Sequence, residues 1–263
     1  MIEPDADRVV AGSANWRTTL AILRGCGAVV QQRPGYLVVT TPDNPGYHWG
    51  NCLVVTGDDV DDAVGWLDLF AREFPGATHR AIGFLRRPNA QAWLDAGVTL
   101  ETERTLTSDV PIAPTPVPDG YAVAPVRDSG WDALLAAACA GEPATEEHRQ
   151  FIERRLVAER RLVEAGQAEW FAAWTPDGSV ASSLGIVALG DDARYQSVLT
   201  DASHRRRGLA RHLLGVASEW AFGHGATRLV IVADDGHDGD RLYRAAGFLP
   251  GAVECNAYLG HVG

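Results

Sequence analysis

Three consecutive arginines and a glycine, Arg205-Arg206-Arg207-Gly208, carry the most pointed chemistry in this 263-residue chain. They lead without a break into Leu209-Ala210-Arg211 and on to Phe222, a stretch whose apolar residues recur at helical spacing. The first turn of a helix leaves backbone N–H groups without partners and carries the positive end of the helix dipole, so it is a natural seat for an anion. Gly208 lets backbone approach a phosphate where a Cβ would intrude. The guanidinium groups of Arg205, Arg206 and Arg207 add fixed charge and paired hydrogen bonds. The chemistry expected of such a turn is pyrophosphate binding. Arginines before a helix also make an ordinary solvated surface, and the turn alone leaves both readings open.

The elements that must position the turn are legible on either side of it. Residues 194–200, rich in strand formers, read as a strand leading in, and residues 227–233 read as the next strand after the helix. Leu242-Tyr243-Arg244-Ala245-Ala246-Gly247-Phe248 follows as a short helix with a glycine at its end.

In that context Arg205-x-x-Gly208-x-Ala210 resembles the acetyl-CoA signature of the Gcn5-related N-acetyltransferases (GNAT), and Leu242-Tyr243-x-x-x-Gly247-Phe248 resembles the closing segment of the same family. The resemblance implies that acetyl-CoA lies in a splay between two parallel strands, here 195–200 and 228–233. Backbone groups of Val198, Leu199 and Thr200 would hold the pantetheine and polarise the thioester carbonyl. N–H groups of Arg206, Arg207, Gly208, Leu209, Ala210 and Arg211, with Arg205 beside them, would cradle the pyrophosphate. An acceptor amine would attack directly, through a tetrahedral intermediate and without an acyl-enzyme, and Tyr243 would protonate the departing thiolate. Read from the residues alone, a core tyrosine packing the last helix on the sheet is the lesser alternative for Tyr243. His237 stands where the family often has asparagine, and Asp240 where it often has a small residue. No general base is assigned: Glu169, Glu142 and Asp191 are candidates, and a water chain would serve instead.

The rest of the chain repeats the plan. Residues 5–24 are compatible with a helix, and 28–33 and 36–41 with strands about Pro34-Gly35. Residues 48–56 read as a strand, and 61–74 as a helix with Val64, Leu67, Phe70 and Ala71 on one face. Another strand is expected at 79–85, a short helix at 90–96 and a closing strand at 99–110. Gly76-Ala-Thr-His79 matches Gly225-Ala-Thr-Arg228, and the segment around Trp93 and Gly97 matches that around Tyr243 and Gly247, at nearly the same offset. The turn in this first copy, residues 56–62, holds aspartates and no arginine, so it would repel a pyrophosphate. Pro111, Pro114, Pro116 and Pro118 mark an extended connector.

The expected fold is therefore α/β of mixed α+β kind: two tandem GNAT-like lobes, 1–112 and 113–263, each a mixed, mostly antiparallel twisted sheet flanked by helices. The two-lobe plan is similar to that of tandem GNAT proteins such as the mycothiol synthases. In the second lobe a strand is expected at 121–126, helices at 130–140 and 145–165, and a hairpin over 169–188 about Pro176-Asp177-Gly178. Glu153, Glu159 and Glu164, interleaved with Arg154, Arg155, Arg160 and Arg161, read as a solvated, salt-bridged helix face. After Phe248 one strand's worth of chain remains where the family has two, which leaves completion of the sheet open.

Composition narrows the function. A net charge of −11 argues against binding nucleic acid or anionic membrane, and no apolar run approaches a membrane span. The first residues lack a secretory pattern, so the expected address is the cytoplasm. Cys26, Cys52, Cys139 and Cys255 lack metal-ligand spacing, and no metal is expected. All basic side chains counted are arginines; the absence of lysine excludes a P-loop lysine and a Schiff-base lysine. The expected activity is acetyl-CoA-dependent acetylation of a small-molecule primary amine, with Trp49 and Trp170 as candidates to line the acceptor cleft. The alternatives are a non-catalytic acyl-CoA-binding regulatory module and an enzyme acting on a peptide amine. Oligomeric state is not legible.

Overall fold

A computed structural model describes residues 6–140 and 145–260. It is a mixed α/β structure with mostly antiparallel sheet flanked by helices, and the chain divides into two compact units. The first comprises residues 1–105, 233–237 and 251–263; the second comprises 106–232 and 238–250.

The first unit opens with α1 (Ala6–Val10) and α2 (Ala14–Gly25). The single helix expected over 5–24 is thus two, because Ser13 takes an extended conformation and caps α2, its hydroxyl accepting from the Trp16 N–H at 2.9 Å. Strands β1 (Val29–Arg33) and β2 (Tyr36–Thr40) form the expected hairpin. The strand expected over 48–56 is shorter, β3 (Cys52–Val55), because His48–Gly50 closes a 3₁₀ turn. Helix α3 (Ala63–Glu73) leads to β4 (Arg80–Phe84), which pairs parallel with β3. Phe70 is buried on α3 whereas Val64, expected on the same face, is exposed. Helix α4 (Ala90–Asp95) and β5 (Leu100–Ser108) follow. Trp16, Leu20, Leu53, Phe70, Ile82, Phe84 and Trp93 belong to the core.

The second unit contains β6 (Ala122–Pro125), α5 (Gly130–Cys139), α6 (Glu146–Glu164), and the antiparallel run β7 (Ala168–Trp174), β8 (Val180–Leu189) and β9 (Asp192–Thr200). Then come α7 (Leu209–Gly223), β10 (Arg228–Asp234) and α8 (Asp238–Ala246). Strand β8 is buried continuously over its first eight residues, so both faces are covered, by α7 on one hand and by α5 on the other. The segment from Pro111 to Pro118 is extended, as its prolines require, and lies along α7: Ile112 N–H donates to Ser218 Oγ at 2.8 Å, and a Cβ added at Gly215 would meet Pro114 backbone at 2.3 Å. The final strand, β11 (Leu249–Leu259), which the sequence leaves for the end of the second lobe, pairs antiparallel with β4, Asn256 opposite Gly83, and residues 251–259 belong to the first unit.

Candidate active site

Strand β9 begins as an ordinary member of its sheet. Residues 192–194 pair parallel with 228–230 of β10, yet that register ends there while β9 runs on to Thr200. On its other side, the pairing with β8 steps from Gly185–Gln196 to Ser183–Leu199, so Ser197 and Val198 together oppose the single residue Leu184. This is a β-bulge, which leaves backbone groups unpaired and turns the strand. Ser197 takes a φ of +50°, unusual for a residue with a Cβ. Val198, Leu199 and Thr200 are half-buried along the freed stretch. Ser182 fixes the strand beyond the bulge, its hydroxyl lying 2.8 Å from both the Leu199 carbonyl and the Thr200 hydroxyl.

The basic turn follows directly. Asp201 closes a 3₁₀ turn over Ala202–His204 by accepting from the Ser203 N–H at 2.8 Å. Arg206 and Gly208 both take left-handed conformations, with φ of +60° and +84°. These two reversals bring the chain into α7 with Gly208 at the cap, which makes no side-chain cap hydrogen bond to the first-turn N–H groups. Arg205, Arg206, Arg207 and Gly208 are exposed, Leu209 is buried, and Ala210 and Arg211 are half-buried. The guanidiniums are braced from behind by protein: Arg205 Nε donates to the Thr200 carbonyl (3.3 Å), Arg207 to the Tyr121 hydroxyl (3.0 Å) and the Ser203 carbonyl (3.2 Å), and Arg211 to the Ala113 carbonyl (3.4 Å). Tyr121 is in turn held 2.7 Å from His204 Nδ1.

Tyr243 sits on α8, buried, with its ring 6.2 Å from that of Phe248, and Phe248 lies edge-on to Tyr195 of β9 at 5.7 Å. Tyr195 itself is engaged, donating to the Leu214 carbonyl at 2.7 Å, and burial holds its phenol far above the usual range. Asp240, one turn before Tyr243, is buried and receives the Arg244 guanidinium at 3.0 Å on both oxygens.

Of the acids considered as bases, only the Glu169 carboxylate is shown committed to other partners. Glu169 is clamped by Arg127 at 2.6 and 2.5 Å and also accepts from the Trp170 N–H. The Asp191 side chain is exposed, and its backbone carbonyl accepts the Thr227 and Arg228 N–H groups. Glu142 lies outside the described residues. Trp170 is a core residue and not a cleft wall: it is 1% exposed, packs against Gly185 and stands 5.9 Å from the Trp131 ring.

One acid was misplaced by the sequence reading. Glu159, expected on a solvated helix face, is only 5% exposed. Its Oε1 lies 3.5 Å from Ser197 Oγ and 3.6 Å from Arg155 Nε, and Oε2 has no hydrogen-bond partner among the described residues. Burial holds its carboxyl above the ordinary carboxylate range, against the opposing pull of Arg155 and Ser197. A signal for this was present in the sequence, since Ile152, Leu156, Glu159 and Leu162 fall on one stripe of α6 and are all buried. Among the described residues, no group of three or more His, Cys, Asp or Glu side chains is arranged to hold a metal ion, and no helix is long and apolar enough to cross a membrane.

Comparison with known proteins fits this geometry. Residues 131–248 match the Acetyltransferase (GNAT) family, so this span is a GNAT domain. The chain is similar in structure to a Gcn5-related N-acetyltransferase from Kribbella flavida, with TM-score 0.60 and 20% identity over 99% of this chain and 97% of that one. It is also similar to a functionally unknown conserved protein from Staphylococcus epidermidis, with TM-score 0.69 and 9% identity over 90% of this chain and 96% of that one. A tandem GNAT protein from the clavulanic acid biosynthesis pathway aligns with TM-score 0.54 and 13% identity over 87% of this chain and 84% of that one. At such identities the likeness is one of fold. No curated protein sequence matches the chain.

Proposed function

We propose that the GNAT domain at residues 131–248 is an acetyl-CoA-dependent N-acetyltransferase acting on a primary amine of a small molecule. The observation that carries this reading is the continuity of three features: a strand that leaves its parallel neighbour, a bulge at Ser197-Val198, and a helix N-terminus capped by Gly208 behind three arginines. The first two leave the edge of the strand along Val198, Leu199 and Thr200 without a parallel neighbour, so that backbone groups there other than the Leu199 and Thr200 carbonyls, which Ser182 and Arg205 engage, are offered to a pantetheine arm, itself a chain of amides. The third offers N–H groups of Leu209, Ala210 and Arg211 and the charge of Arg205, Arg206 and Arg207 to a pyrophosphate. Bound there, acetyl-CoA supplies the activated acyl group. Backbone N–H groups at the bulge are suited to polarise its carbonyl.

Tyr243 is assigned the proton for the departing thiolate. Its phenolic O–H is the donor that this step needs. The overall charge of −11 favours a cationic acceptor, such as a polyamine, an aminoglycoside or an amino-acid derivative. In this reading the lobes 1–112 and 113–263 descend from one plan, and the first has lost its acetyl-CoA seat. The strand–helix–parallel-strand order β3-α3-β4 matches β9-α7-β10, while Trp93 replaces the phenol and is buried with its indole N–H on the Val60 carbonyl at 3.0 Å. A cytoplasmic location is part of the proposal.

The test is an amine screen with acetyl-CoA, followed on the best acceptor by Tyr243→Phe. The expected result is a fall in kcat of about 10²-fold or more, with acetyl-CoA affinity changed little. Unchanged turnover would remove Tyr243 from the mechanism.

A further inference from the structure

Four carboxylates are buried among the described residues: Glu159, Glu169, Asp192 and Asp240. Three have an arginine at hydrogen-bond distance, namely Arg127 on Glu169, Arg228 on Asp192 at 2.7 Å and Arg244 on Asp240. Glu159 differs. Its arginine, Arg155, stands at 3.6 Å, beyond a hydrogen bond, and Glu159 Oε2 is left with no partner among the described residues. A buried carboxylate oxygen without a donor is costly, so its retention calls for an explanation.

Directly above it is the second anomaly. Ser197 is exposed, stands one residue before Val198 in the bulge, and holds a left-handed conformation that a serine adopts only under constraint. Its hydroxyl faces Glu159 Oε1 at 3.5 Å. A surface hydroxyl at the thioester seat is thus backed by a buried acid.

We propose that Ser197 and Glu159 form a proton path, hydroxyl at the surface and carboxylate beneath, that takes the proton from the ammonium of the acceptor. The inference rests on the acetyltransferase reading above. The acceptor R–NH₃⁺ gives a proton to Ser197 Oγ as the serine's own proton passes to Glu159 Oε1. The nitrogen keeps the electron pair and becomes R–NH₂, Ser197 is unchanged, and Glu159 becomes a neutral acid. The freed pair forms the C–N bond to the thioester carbon, and the carbonyl π electrons move to oxygen. Collapse breaks the C–S bond, and the electrons leave on sulfur, which takes its proton from Tyr243. The surplus proton on the new amide nitrogen restores the phenol, and Glu159 returns its proton to solvent through Ser197. Arg155 on the same helix is the charged group that acts on Glu159, and Ser197 on β9 the hydrogen-bonding one. Burial makes Glu159 a stronger base than a solvated carboxylate, which suits it to an ammonium donor.

The test uses the full chain and measures CoA release from acetyl-CoA by chromatography between about pH 6 and 9. The acceptors are spermidine, kanamycin, glycinamide and water alone, and calorimetry of acetyl-CoA runs in parallel. Wild type is expected to bind acetyl-CoA and to release CoA faster as pH rises. Glu159→Gln and Ser197→Ala should bind acetyl-CoA within about two-fold of wild type yet release CoA roughly 100-fold and 10-fold more slowly. The glutamine variant should depend on amine that is already deprotonated, so its deficit should be largest at low pH and narrow toward about pH 9, and Glu159→Asp should regain part of the rate. Ser197 is exposed, so its variant decides the matter even where Glu159→Gln fails to fold. Variants that match wild type at every pH overturn the path. So does a wild type that binds acetyl-CoA but releases no CoA above the protein-free control with any acceptor. A wild type that does not bind acetyl-CoA overturns the acetyltransferase reading itself.

Discussion

Gly208 and Ser197 bracket the proposed acetyl-CoA seat, and both hold left-handed backbone, but only one of them is a glycine. At Gly208, with φ of +84°, an added Cβ would meet only Pro118 at 3.8 Å, so the cost of Gly208→Ala is conformational and not steric. It should lower stability by about 1–2 kcal/mol, read by urea denaturation. Ser197→Gly should do the reverse and raise stability by up to about 1 kcal/mol, because it relieves the strain of φ +50°. A destabilised Ser197→Gly variant would argue that the serine's own contacts outweigh that strain. The basic turn with its glycine could be read from residue types alone, since charge and missing Cβ are properties of the sequence. The bulge could not: a left-handed serine leaves no mark in composition or period. Glu159 was legible by its place in the apolar stripe of α6, but its neighbouring arginines made the charge pattern look like a solvated face.

At the scale of elements, α7 is the piece on which the site depends. Its N-terminus is the proposed anion seat, and its length is pressed by the strap from Pro111 to Pro118. The strap reaches α7 so closely because Gly215 has no side chain. Gly215→Val should force a backbone clash with Pro114 at 2.3 Å, lower stability by about 1–3 kcal/mol, and speed amide exchange at Ile112 and Ala113. Unchanged exchange would mean the strap is held elsewhere. Ser218→Ala should also lower stability, by about 1–3 kcal/mol, by leaving the buried Ile112 N–H unpaired. The spaced prolines signalled an extended segment, but nothing in them signalled what it lies on. The same holds for β11, whose strand character was plain while its pairing with β4 depends on a partner more than 160 residues earlier.

For the whole molecule, acid stability is set in opposite senses by a pair of histidines and by Glu159. In the first unit His48 and His79 stack at 4.1 Å, His48 Nδ1 lies 2.7 Å from the Tyr258 hydroxyl, and His79 Nε2 lies 2.9 Å from the Asn51 carbonyl. Burial is the main cause that holds both imidazoles below their ordinary 6.5. The unfolded chain therefore binds more protons, and the stability they contribute is complete above pH 6.5 and is lost as pH falls from there toward their folded values. Glu159 works the other way, because its raised carboxyl favours the folded state as pH falls toward the ordinary carboxylate range. Urea denaturation should show wild type losing stability between about pH 7 and 5, and His79→Gln should flatten that loss. A wild-type stability that is level or rising over that interval would show that the histidines do not govern it.

The central claim, that the turn before α7 seats a pyrophosphate, is tested most directly by calorimetry of acetyl-CoA on wild type beside Gly208→Glu, which puts bulk and negative charge at the proposed seat. Saturable one-site binding to wild type, lost in a variant that remains folded, is the predicted result. Binding that survives the substitution would place acetyl-CoA elsewhere, and no binding to folded wild type would contradict the acetyltransferase reading and favour a domain that keeps the fold without the chemistry.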